Sequence, residues 1–136
     1  MNTLKYLLLF LPLVLISCND ESNTVTSVWD YGYLTASWTN SYEEETASNS
    51  TKIFRLSNYR DFPSSRYREM LIFSQDGNCS YLVLASNDGH YLEYGKWIIV
   101  DYDKHIIEIL KPSGAHYKNF QVVELSKDLL KIVMIY

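Results

Sequence analysis

From residue 28 to the C-terminus the chain is a series of short runs rich in β-branched and aromatic residues, cut at intervals by turn-forming triplets: Gln75-Asp76-Gly77, Asn87-Asp88-Gly89, Asp101-Tyr102-Asp103, Pro112-Ser113-Gly114 and Ser126-Lys127-Asp128. Each triplet carries residues that tolerate tight or left-handed turns. Connections this short join antiparallel neighbours, because parallel strands need a crossover of a dozen residues or more. No 3.6-residue apolar stripe competes with this pattern. The runs predict eight strands, at 34–46, 51–56, 67–74, 78–85, 94–101, 104–111, 116–125 and 129–135. Twelve tyrosines, three tryptophans and five phenylalanines are residues that strands favour. A flat meander of eight strands would leave two open edges, and closure removes both. The expected fold is therefore all-β, an antiparallel up-and-down barrel, with a two-sheet β-sandwich as the alternative.

Alternation within the runs supports two unlike faces: Tyr67, Glu69, Leu71 and Phe73 share one side, and Arg68, Met70 and Ile72 the other. Both sides carry apolar residues in several strands, so the inward face stays open from sequence. The one irregular connection, 57–66, could hold a helical turn capped by Ser57 and stopped before Pro63. It is long enough to serve as a lid over a barrel mouth.

The N-terminal region has a different character. An apolar run from Tyr6 to Ile16 follows the single basic residue Lys5 and ends in Leu15-Ile16-Ser17-Cys18. The run is short of the ~20 residues that span a bilayer. It fits a removable signal core, and its last four residues resemble a bacterial lipoprotein cleavage box. That resemblance makes residues 1–17 a signal peptide and Cys18 the lipid-attachment residue, carrying a diacylglycerol on sulfur and a further acyl chain on its amine. Several acyl chains hold a protein firmly where one does so only marginally. The polar stretch 18–28 then reads as a flexible tether, and 29–136 as the folded domain. Asp20 and Glu21 resemble the acidic pair that marks surface export in some Gram-negative bacteria; an ordinary solvated tether explains them equally. The expected location is the bacterial cell envelope, at the outer membrane, facing the periplasm or the surface.

Ala36-Ser37-Trp38 on the first strand, Phe73-Ser74-Gln75-Asp76-Gly77 at a hairpin and Gly95-Lys96-Trp97 on a later strand resemble the lipocalin-like barrels, and more closely short bacterial lipocalin-like lipoproteins. Ala36 stands where that class has glycine, and Lys131 where an arginine is expected over the tryptophan. The resemblance implies a barrel with an internal cavity; it supplies no ligand and no catalytic residue.

Removing residues 1–17 takes away Lys5 and no acid, so the net charge moves from −4 to −5. An acidic domain is a poor partner for nucleic acid, whose binding rests on basic residues. With Cys18 lipidated, Cys79 has no disulfide partner and reads as a small buried hydrophobe. All four arginines, Arg55, Arg60, Arg66 and Arg68, fall within 14 residues that contain no lysine. Guanidinium groups at a barrel mouth could hold a carboxylate or phosphate, with Tyr81 and Trp97 lining an apolar body. The structural alternative pairs them with Glu43, Glu44, Glu45 or Glu69, or stacks them on Trp38. Asp88-Gly89-His90 has a chelating spacing but is also good turn chemistry. Glu43-Glu44-Glu45 reads as a solvated rim. There is no nucleophile elbow and no phosphate-cradling glycine loop, so neither an enzyme nor a cofactor is expected. The candidate ligand-binding set is Arg55, Arg66, Arg68, Tyr81 and Trp97. Two functions follow: a membrane-anchored barrel binding a small amphipathic or apolar ligand, or an interaction module that meets a protein or glycan through exposed aromatics such as Tyr31, Tyr33 and Tyr59.

Overall fold

The computed structural model describes residues 29–136. These form a closed antiparallel barrel of eight strands: β1 (Ser37–Asn40), β2 (Thr51–Leu56), β3 (Met70–Phe73), β4 (Asn78–Leu84), β5 (His90–Asp101), β6 (Ile106–Leu110), β7 (His116–Leu125) and β8 (Leu129–Ile135). From β3 to β8 each strand pairs with the next, through the short turns the sequence predicts. The joint that closes the barrel is different: β1 lies between β2 and β3, and β2 pairs with β8. Neighbours in sequence are therefore not neighbours in the barrel at β2 and β3. The long 57–69 connection permits this, because it can cross β1 where a tight turn could not.

That connection is a strap along the outside of β1 rather than a lid over the mouth. Trp38 faces inward and is fully buried, so Ser37 and Thr39 face out; Ser57 Oγ lies 2.8 Å from both of their hydroxyls. Outward Thr39 is only 6% exposed, a level that requires cover. Strand β1 is also shorter than the 34–46 run predicts, with a 3-10 turn on each side, Tyr31–Leu34 and Tyr42–Glu44. The first is capped by Asp30, whose side chain accepts from Gly32 N–H.

The core sits inside the ring. Trp38, Phe54, Leu71, Tyr81, Ile107, Ile109, Phe120, Leu130 and Ile132 are essentially inaccessible, each placed inward by the period of two along its strand. Cys79 joins them, and burial pushes its thiol up to about 11, which keeps it protonated and unreactive at neutral pH. Gly95 on β5 has a steric reason: a Cβ there would collide with the Leu110 carbonyl oxygen and crowd the Tyr81 ring. Only glycine lets β5 bend over the end of β6.

Candidate functional site

Three of the four arginines are consumed by carboxylates on the outer wall. Arg55, on β2 and facing out, forks onto Glu44 through Nε at 3.0 Å and Nη2 at 2.8 Å. Arg68 reaches both oxygens of Glu43, at 2.6 and 3.0 Å, and also donates to the carbonyls of Asn40 and Pro63. Arg60 donates to Ser41 Oγ at 2.7 Å and approaches Glu43 at 3.5 Å. Each guanidinium also covers an aromatic ring: Arg55 on Tyr59, Arg60 on Phe62, Arg68 on Tyr42 and Phe62. The Arg60 and Arg68 bonds staple the strap to the 41–45 connection, and Arg55 ties that connection to β2 while covering Tyr59 of the strap. The hydrogen bond from Arg68 holds the Glu43 carboxyl down at about 2, and that from Arg55 does the same for Glu44. Glu45 accepts from Asn40 Nδ2 at 2.6 Å and from Ile53 N–H at 2.9 Å. The three-glutamate run, expected as a solvated rim, is thus an anchor with a partner for every carboxylate.

The expected convergence of Arg55, Arg66, Arg68, Tyr81 and Trp97 on one site is not what the structure holds. Arg55 and Arg68 face outward. Tyr81 is inside the barrel, stacked on Tyr117 at 4.2 Å and donating to Glu93 Oε2 at 3.0 Å. Trp97 packs edge-on against Phe73 near the opposite end and donates to the Ser74 carbonyl at 2.9 Å. Arg66 is exposed and lines a shallow rim pocket of about 240 Å³ with Tyr67, Leu84, Asp88 and His90. Asp88 itself adopts φ 61° in the β4–β5 turn, the left-handed conformation such a turn needs. Among the described residues, no group of three His, Cys, Asp or Glu side chains is placed to hold a metal. Cys18 lies outside the described residues.

Sequence reasoning missed an ionic cluster inside the barrel. Glu69, buried at the foot of β3, accepts from Lys52 of β2 at 2.6 Å and from Lys118 of β7 at 2.7 Å. Because β3 and β7 stand on opposite sides of the ring, the Lys118 bond crosses the lumen. Burial alone would raise the Glu69 carboxyl, but the two ammonium groups overcome it and hold the group below the usual range. Lys118 points inward by the same period of two that buries Phe120 and Val122, and the β6–β7 register shift between Ile109 and Leu110 leaves Tyr117 unpaired and turns it inward beside Lys118. Tyr81, Glu93 and Tyr117 complete a polar layer at this end. Burial, then the Glu93 carboxylate, pushes the Tyr81 phenol up. The signal in sequence was a charge at an inward register position in each of three segments: Lys52 two before Phe54, Glu69 two before Leu71 and Lys118 two before Phe120.

Two further surface grooves, of about 410 and 320 Å³, flank Tyr94 and Gly95 on the outer wall. No helix among the described residues is long and apolar enough to cross a membrane. No known protein family, curated protein or solved structure matches this chain.

Proposed function

We propose that the chain is a lipoprotein of the bacterial envelope, held at the membrane by acyl chains on Cys18, whose lipocalin-like barrel is a non-catalytic interaction module meeting a protein or glycan with its outer surface. The observation that carries this reading is the packed interior. Side chains fill the ring from Leu34 and Trp38 at one end to the Lys52–Glu69–Lys118 cluster at the other, while Tyr33, Tyr42 and Tyr59 lie exposed outside. Solid cores with aromatic surfaces suit recognition by contact rather than enclosure. In cells expressing the full chain, Cys18→Ala is expected to move the protein from the membrane fraction to the soluble one, with loss of the acyl mass. Unchanged membrane partitioning refutes the anchor.

The cluster favours a second reading, a small amphipathic anion taken at that end. Lys52 and Lys118 would meet its head group, and the Tyr81–Tyr117 stack its apolar body. A panel of fatty acids and lysophospholipids separates the two readings. An interaction module keeps its melting temperature throughout, whereas a ligand carrier is stabilised by the anion it binds, and Lys118→Met abolishes that gain.

A further inference from the structure

The outward side chains of β5 run His90, Leu92, Tyr94, Lys96, Ile98 and Val100, and Tyr102 follows in the turn. An antiparallel sheet facing water normally alternates to polar on its outer side, yet here, after His90 at the start of the strand, only Lys96 is polar. Tyr94 and Tyr102 are 70% and 66% exposed, and Ile98 and Val100 about half. Leu92 sits directly opposite Leu82 of β4, which widens the apolar strip. The contrast across the ring is complete. Strand β2, four strands away from β5 in either direction, carries the Arg55–Glu44 pair and the charged strap on its side.

The position of the chain's entry says what covers the strip. Trp29 stacks on His105 at 3.9 Å, and Tyr31 meets Tyr102 edge-on at 5.8 Å, so the N-terminal segment joins the barrel beside one end of the strip. Only ten residues, 19–28, separate Cys18 from Trp29. Fully extended they reach at most about 40 Å. A lipid on Cys18 therefore keeps the entry end of the barrel, where the strip terminates at Tyr102, within that reach of the bilayer. Tyrosines at the interface, aliphatic side chains between them and lysines reaching phosphates are what a membrane surface accepts. Lys96 lies within the strip, Lys111 borders the groove beside Tyr94 and Lys96, and Lys104 follows Tyr102 in the turn.

We infer that the β5 wall lies against the membrane surface that holds the acyl chains, leaving the strap wall turned outward toward a partner. This rests on the lipid anchor proposed above. The test uses the full chain purified from membranes, with Tyr94→Trp or Tyr59→Trp, reconstituted into phosphatidylcholine vesicles with and without brominated acyl chains. Tyr94→Trp is expected to lose most of its added emission to the bromolipid, and Tyr59→Trp, on the strap, to keep its own. Equal quenching, stronger quenching at Tyr59→Trp, or no quenching at either overturns the inference. Intact mass of the same samples reports the anchor separately: if the acyl chains are missing, the anchor reading falls and takes this inference with it. Concentration-dependent self-association in detergent that Ile98→Glu removes would assign the strip to a second copy, and so also overturns it.

Discussion

The two ends of the barrel are closed by opposite means. At the end where the chain enters, closure is apolar: Leu34 is fully buried under the 3-10 turn, and the Trp38 indole donates to the Leu34 carbonyl at 2.9 Å. Outside that plug the Trp29–His105 stack and the Tyr31–His105 hydrogen bond at 2.8 Å tie the turn to the β5–β6 hairpin. At the other end closure is ionic, with Glu69 between two lysines and the Tyr81–Tyr117 pair beneath. An apolar plug contributes by removing surface from water and contains no ionised group whose neutralisation would undo it. A buried ion cluster has to offset the desolvation of every charge in it, so it holds only while all its members are present. The entry end is therefore permanent and the far end conditional.

Truncation of the plug should have the largest effect. Trp38→Ala is expected to cost about 4 kcal/mol of unfolding free energy in denaturant titration, from lost burial and the cavity left behind. Glu69→Gln should follow at about 2 kcal/mol, because it leaves Lys118 unpaired in the lumen while Lys52, whose side chain is 40% exposed, stays hydrated. The sharper form of the contrast is the joint replacement Lys52→Met, Glu69→Met and Lys118→Met. If the cluster acts through mutual pairing, this triple variant recovers most of what Glu69→Gln loses. If it is as unstable as the single variant, the difference between the two ends is not one of chemistry. Outside the plug, Tyr31→Phe removes one hydrogen bond to His105 and should cost only about 1 kcal/mol.

Most of the ring could be read in the sequence, and the reason is local. Strands β2, β7 and β8 run over the same residues as their apolar runs, because turn triplets bound them and a period of two fixes their faces. Strand β1 could not be read this way: the 34–46 run looks continuous, but the strand stops at Asn40, where Asn40 Nδ2 turns to Glu45 and the Ile53 carbonyl. Those are contacts between segments, invisible to a local pattern. The placement of β1 between β2 and β3 is equally non-local. The arginine cluster was visible as composition, and so were its glutamate partners, but which wall it occupied depended on the path of the strap. Each member of the Lys52–Glu69–Lys118 cluster sits two residues before a buried inward side chain, but the meeting of three strands that brings them together is recorded by no spacing along the chain.

Acid should open the strap before it touches the core. Glu43 and Glu44 titrate at about 2 in the folded protein, against an ordinary value near 4.5. A depressed carboxyl contributes stability that is complete above its unfolded value and disappears as pH falls through its folded one. The staples therefore weaken progressively from about pH 4.5 down to about pH 2. Surface pairs of this kind contribute little to global unfolding, so the expected change is local opening of 57–68 with the ring intact. Hydrogen exchange corrected for intrinsic rate should show protection falling in the strap across that window while β5–β7 keep theirs. Glu43→Gln should show the same strap opening already at neutral pH, since Arg68 then loses its ionised partner. Loss of protection in strap and ring together would mean that the strap is part of the cooperative core, and the ionic side of the molecule would no longer be the conditional one.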